Sequence, residues 1–131
     1  MTKSPITCHI LDSSTGKPAP GVFIRLQILE VSKEGGPDIF HPLAKGLTDS
    51  DGRCFDLLPS VGSEEEAKEK TALQAGQTYK IVFKTKEYFD KTQRPSFYPW
   101  VEITFTINKP EEHYHIPLLI SPYSFTTYRG S

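Results

Sequence analysis

Residues 22–29 constrain this chain more than any other stretch. Val22, Ile24, Leu26 and Ile28 alternate with Phe23, Arg25, Gln27 and Leu29, so one side of an extended segment is wholly apolar. Period two is the signature of a β-strand, whose successive side chains point to opposite faces. Such a strand needs a sheet to satisfy its backbone and a second layer to cover its apolar face. Val101, Ile103, Phe105 and Ile107 repeat the pattern against Glu102, Thr104 and Thr106. Between these runs, 11 prolines and 9 glycines cut the chain into short pieces rich in β-branched and aromatic residues. Long helical periodicity is nearly absent. The combination predicts an all-β sandwich or barrel.

The other segments fill in that frame. Residues 6–11, 22–31, 78–85, 98–107, 113–120 and 123–128 read as strands, with a weak strand at 43–48 and a short one at 53–58. That gives seven or eight strands, in keeping with a two-sheet sandwich. Residues 12–21 hold nearly every turn-forming residue type, 32–45 read as a Gly- and Pro-containing loop, and Asp49-Ser50-Asp51-Gly52 reads as a tight turn. Residues 86–92 suit a short helix with Tyr88 and Phe89 turned inward. Residues 59–77 contain the charged block Glu64-Glu65-Glu66-Ala67-Lys68-Glu69-Lys70. This block suits an exposed helix with Glu-to-Lys pairs four residues apart, or equally a mobile loop, and is read as a solvated insertion. With 131 residues and no linker or repeat, a single domain over 1–131 is expected.

Composition removes several classes of function. The formal net charge is −1, so there is no electrostatic footprint for nucleic acid or an anionic membrane. No apolar run approaches a membrane span. Met1-Thr2-Lys3-Ser4-Pro5 leads at once into a strand, which leaves no room for a signal peptide and favours a cytoplasmic location. The two cysteines, Cys8 and Cys54, sit in apolar settings and read as reduced core residues.

Four histidines are available for chemistry: His9, His41, His113 and His115. His9 shares a strand face with Thr7 and Leu11, opposite Cys8 and Ile10. His113 and His115 share a face with Pro117 and Leu119, opposite the more apolar Tyr114, Ile116, Leu118 and Ile120. If the apolar faces go to the core, the histidines lie on outward faces. The plain reading is neutral surface residues. The His-x-His pair with His9 could also supply three zinc ligands. Arg53, fixed by the turn before it, is either a surface partner of Asp49 or Asp51 or a guanidinium that holds an oxyanion. The chain has no G-x-S-x-G elbow, P-loop or dinucleotide fingerprint. Histidines plus arginine without a nucleophile point to water activation and charge stabilisation.

Four sequence blocks resemble signatures of the 5-hydroxyisourate hydrolases of the transthyretin-like family. They are Ile6-Thr7-Cys8-His9-Ile10-Leu11-Asp12 with Gly16-Lys17-Pro18-Ala19, Thr48-Asp49-Ser50-Asp51-Gly52-Arg53, the block from His113 to Pro122, and the ending Tyr128-Arg129-Gly130-Ser131. The resemblance implies two four-stranded sheets with one short helix, and a homotetramer built as a dimer of dimers with active sites at the dimer–dimer interface. It implies metal-free, cofactor-free opening of a ring amide of 5-hydroxyisourate to a ureido-imidazoline carboxylate in urate degradation. Catalysis would fall to His9, Arg53 and His115, while Tyr128, Arg129, Gly130 and Ser131 would shape the substrate site. The segment 63–74 looks longer than the matching loop of compact bacterial members. Two rival readings are a transthyretin-like hormone carrier and a zinc-dependent cyclic amidohydrolase. Hormone carriers of the family do not retain His9, His115 or the Tyr-Arg-Gly-Ser ending.

Overall fold

The alternating segments do form two packed sheets. A computed structural model describes residues 3–130. In chain order it contains β1 (Ile6–Asp12), β2 (Lys17–Pro18), β3 (Phe23–Glu30), β4 (Ile39–Leu47), β5 (Arg53–Cys54), α1 (Glu64–Glu69), β6 (Thr78–Phe83), α2 (Thr85–Lys91), β7 (Val101–Thr106), β8 (Tyr114–Ser121) and β9 (Ser124–Thr127). One sheet runs β2-β1-β8-β9, with β5 also pairing on β1; the other runs β4-β3-β6-β7. Strand β1 pairs with β8 in parallel, and the other named pairings are antiparallel. The chain therefore folds as an all-β sandwich.

The core is the apolar stripe read from the sequence. Val22, Ile24 and Leu26 are fully buried, and they meet Ile6, Cys8, Ile10, Leu118 and Ile120 from the facing sheet and Ile81 and Phe83 from β6. Burying each such side chain contributes about 1.5–3 kcal/mol, which is what holds the two layers together. Cys8 and Cys54 are free, buried and directly opposite each other across the β1–β5 pair. Burial pushes both thiols up, Cys54 to about 11, so neither is a thiolate near neutrality.

The structure departs from the sequence reading in several places. There are nine strands among the described residues, because β2 is a two-residue pairing at the β1 edge, inside the expected turn, that short-range pattern cannot show; β5 is the short strand expected at 53–58, cut to two residues. Strand β4 contains nearly all of the weak strand expected at 43–48 and extends it back through the second half of the expected loop 32–45. It is an edge strand with a bulge, where Leu26 pairs with Ala44 but Gln27 with Pro42, leaving Leu43 as the extra residue. The bulge breaks the alternation and hides the strand's first half. The charged block takes the helical one of its two readings, as the exposed helix α1, so the described residues hold two helices where the resemblance implied one. Ser63 caps it by accepting from the Glu66 amide, and Lys70 closes it in the left-handed region. The expected Glu-to-Lys pairs do not form: among the described residues no ion pair involves α1.

A buried charge ties the end of β1 to α2. Asp12 is fully buried and accepts from Tyr88 Oη at 2.8 Å, Arg94 Nη2 at 2.6 Å and the Ser14 amide at 3.0 Å. Burial alone would push this carboxyl up, but the hydrogen bonds from Arg94, Ser14 and Tyr88 outweigh it and hold it below the usual range. Arg94 also lies over the Phe89 ring at 4.9 Å. Strand β1, which carries His9, is thus anchored at its far end. No helix among the described residues is long and apolar enough to cross a membrane.

Candidate active site

Sheet register assembles the site. Residues directly opposite on neighbouring strands share a face, and β1 places two of its outward residues against functional partners. His9 lies opposite Arg53 on β5, and Thr7 lies opposite His115 on β8. His9, Arg53 and His115, far apart in sequence, therefore meet on one outward face. The His9 and His115 rings are 6.4 Å apart between centroids, as are those of His113 and His115. All three rings are half-buried. His41 is elsewhere, beside Glu30 at the edge of the other sheet.

The turn before Arg53 has no freedom. Asp49 Oδ1 accepts from the backbone amides of Asp51 at 2.9 Å and Arg53 at 3.0 Å. Gly52 adopts φ +74°, and a Cβ there would meet the Ile10 carbonyl at 2.3 Å, so only glycine fits. The Ile10 amide donates to the Gly52 carbonyl at 2.7 Å. Asp49 thus spends its carboxylate on the turn, and among the described residues Arg53 belongs to no ion pair. The expected surface pair of Arg53 with Asp49 or Asp51 does not form among the described residues, and Arg53 lies opposite His9, near enough for its charge to act on both His9 and His115.

Hydrogen bonds set the state of the rings. His9 Nε2 lies 3.0 Å from the Asp51 carbonyl, which can only accept. That nitrogen therefore carries a hydrogen, and neutral His9 keeps its lone pair on Nδ1. The Thr7 hydroxyl, on a residue only 2% exposed, lies 2.8 Å from His115 Nδ1 and 3.1 Å from His113 Nε2.

Burial and then the Arg53 charge hold the His9 imidazole below its usual range, outweighing the Asp51 carbonyl and the Asp49 and Asp51 charges. Burial, Arg53, His113, His9 and Lys3 act together to lower His115. Burial and Lys3 lower His113. The cluster favours neutral, proton-accepting imidazoles beside a fixed cation.

The chain's ending divides. The Gly130 amide donates to the His115 carbonyl at 2.9 Å, bringing the backbone over the imidazole. A Cβ on Gly130 would sit 2.8 Å from His115 Cδ2 and 3.1 Å from Pro117 Cγ. Glycine is needed here for close approach, not for a positive φ. Arg129 turns elsewhere: Nη2 donates to Glu112 Oε1 at 3.1 Å, and the guanidinium lies 4.3 Å over the Tyr114 ring. Tyr128 is exposed and, with Arg129, borders an apolar groove between β7 and β8–β9. Ser131 lies outside the described residues. Among those described, no group of three His, Cys, Asp or Glu is arranged to hold a metal ion. His113 Nε2 and His115 Nδ1 are both engaged by the Thr7 hydroxyl.

Thr7, Lys3 and the Asp51 carbonyl were not legible as site members from sequence. The period-two face puts Thr7 beside His9, but its place between two rings of β8 depends on a parallel register that sequence does not carry.

The family model described as HIUase/Transthyretin matches residues 6–130. The chain belongs to the HIUase/Transthyretin family. Within that family it is 43% identical over 126 residues to the 5-hydroxyisourate hydrolase of Salmonella dublin, covering 96% of this chain and 80% of that protein. It is 41% identical over 128 residues to the 5-hydroxyisourate hydrolase of Mus musculus, covering 98% of this chain and 96% of that one. Sea bream transthyretin in complex with thyroxine superposes with a TM-score of 0.75 at 28% identity, covering 97% of this chain and 95% of that chain. The 5-hydroxyisourate hydrolase of Klebsiella pneumoniae superposes with a TM-score of 0.66 at 32% identity, covering 96% and 98%. Family and fold alone therefore span both a 5-hydroxyisourate hydrolase and a transthyretin seen in complex with thyroxine.

Proposed function

We propose that this chain hydrolyses 5-hydroxyisourate in urate degradation and that His9, Arg53 and His115 carry the reaction. One observation supports this most strongly: the register of β5, β1 and β8 brings two neutral imidazoles and an unpaired guanidinium to one face. A carrier has no use for proton acceptors beside a free cation. A hydrolase needs both.

The imidazoles accept a proton from water as it attacks the ring carbonyl, and Arg53 stabilises the charge that forms on the carbonyl oxygen. The carbon–nitrogen bond then breaks, and an imidazolium returns the proton to the leaving nitrogen. General acid–base help of this kind contributes about 10²–10⁴-fold in rate. Gly130 brings the backbone against His115 and so helps to shape the site, whereas Arg129, held by Glu112 and lying over Tyr114, turns away from it.

The outward face of this sheet is open in one copy of the chain. A homotetramer, in which a second dimer covers that face, would exclude water from the cleft and strengthen each electrostatic contact. Light scattering should give four copies per particle. Alanine at His9, Arg53 or His115 should remove most of the activity while circular dichroism stays unchanged. Full activity in any one of these variants would remove that residue from the site.

A further inference from the structure

Thr7 offers one hydroxyl proton to two imidazoles, and this links their tautomers. Its hydroxyl lies 2.8 Å from His115 Nδ1 and 3.1 Å from His113 Nε2. Among the described residues it has no third partner. A hydroxyl can donate once, so with both rings neutral it donates to one and accepts from the other.

Two arrangements satisfy this. In the first, Thr7 donates to His113 Nε2 and His115 Nδ1–H donates to Thr7. His115 Nε2 is then a bare lone pair. In the second, Thr7 donates to His115 Nδ1 and His113 Nε2–H donates to Thr7. His115 Nε2 then carries a hydrogen and cannot accept one.

We propose that Thr7, with His113 as its proton acceptor, is the positioning residue that holds His115 in the Nδ1–H tautomer, with Nε2 ready to take a proton from water. This rests on the reading of His115 as a catalytic residue. Neither Thr7 nor His113 need touch substrate. The oxygen of Thr7 is buried and lies on the strand directly opposite His115, so the contact is set by the sheet and not by a mobile side chain. A metal-bound histidine is commonly fixed the same way, through the hydrogen bond its other nitrogen makes. The arrangement accounts for a second histidine two residues away whose ring nitrogen points at Thr7. It also separates His115 from His9, whose own tautomer is set by the Asp51 carbonyl. Proton transfer from water makes one bond, Nε2–H on His115, and breaks one O–H. The Nδ1–H to Thr7 bond persists and is strengthened by the new positive charge.

Removing either partner releases the constraint. In Thr7→Val, His115 Nδ1 loses its acceptor, and the ring reverts to the Nε2–H form that free imidazole side chains prefer. In His113→Ala, the Thr7 proton loses its acceptor and turns to His115 Nδ1, giving the same form.

The test combines ring-nitrogen NMR of 15N-histidine protein, above the histidine titration range, with kcat and KM. The full chain is used as wild type, Thr7→Ser, Thr7→Val, His113→Ala and the double variant. Wild type and Thr7→Ser should show His115 as Nδ1–H. Thr7→Val and His113→Ala should each show Nε2–H and lose at least about tenfold in kcat with KM little changed, within the range general-base help supplies. The double variant should be no worse than Thr7→Val alone, because both act through one tautomer. Nε2–H on His115 in resting wild type, or Thr7→Val with Nδ1–H and full kcat, overturns the proposal. If Thr7→Val does not fold, Thr7→Ser and His113→Ala decide it. Full activity in His115→Ala would instead overturn the catalytic reading itself. An inactive His115→Ala beside a fully active Thr7→Val defeats only the role of Thr7.

Discussion

Gly130→Ala isolates the contact between the chain's ending and the catalytic face. The new Cβ would meet His115 Cδ2 at 2.8 Å, Pro117 Cγ at 3.1 Å and the His115 carbonyl at 3.3 Å. Ordinary contact begins near 3.4 Å, so the ring contact is short by about 0.6 Å. Gly130 has no positive φ, so the substitution adds no backbone strain. Relief comes in one of two ways. The imidazole pivots by roughly that distance and lengthens its 2.8 Å contact with Thr7, or the ending lifts and loses its amide bond to the His115 carbonyl. The lost bond would cost about 0.5–1.5 kcal/mol. Because the segment is largely exposed, the melting temperature should fall only slightly. Activity should suffer more. A misplacement of about 1 Å can cost roughly 10²-fold, so the 0.6 Å shortfall should lower kcat by about 10- to 100-fold. The assay is the ultraviolet decay of enzymatically generated 5-hydroxyisourate, beside thermal unfolding. Wild-type turnover in Gly130→Ala would show that the ending does not position His115.

Deleting residues 128–131 should abolish hydrolysis with little loss of thermal stability, as measured by the same decay and a melting curve. His9 and His115 are both held below the ordinary histidine range, so their neutral forms should persist on acidification past their ordinary value, near 6.5, and the acid limb of kcat should lie below it. Arg53→Gln removes a cation that lowers both rings, so NMR titration should find both values raised toward ordinary; unchanged titrations would refute the proximity. By linkage, rings that resist protonation when folded make the protein lose stability as pH falls below the unfolded value, which denaturant midpoints across that window would show. Arg94→Ala leaves the fully buried Asp12 without its cation and should cost about 3–5 kcal/mol by urea unfolding.

What was legible in the sequence was whatever repeats locally. The β3 stripe, the inward Tyr88 and Phe89 of α2, and the outward faces of His9 and His115 follow from spacing alone, because side-chain direction is fixed by the backbone period. The hidden parts depend on partners distant in sequence or on irregular pairing. Strand β4 is bulged at Leu43 and carries Pro42, so only its second half, from residue 43 on, shows in the sequence, and weakly. Arg94 reaches Asp12 across 82 residues. The parallel register of β1 on β8 decides that Thr7 faces His115, and nothing in either segment encodes it. For Gly130, the resemblance implied only a part in shaping the substrate site, whereas the structure uses the missing Cβ to bring the chain against an imidazole. The role of Arg53 was open in the sequence. The turn narrowed it by engaging the Asp49 carboxylate with backbone amides.

The most direct measurement follows 5-hydroxyisourate itself. Urate oxidase generates it in the cuvette, and its ultraviolet decay is recorded with and without this protein. The decay should accelerate far above the spontaneous rate, in proportion to protein added, and Arg53→Ala should return it nearly to that rate. A folded sample that leaves the decay unchanged, or an Arg53→Ala variant as fast as wild type, would contradict the catalytic role given to this sheet face.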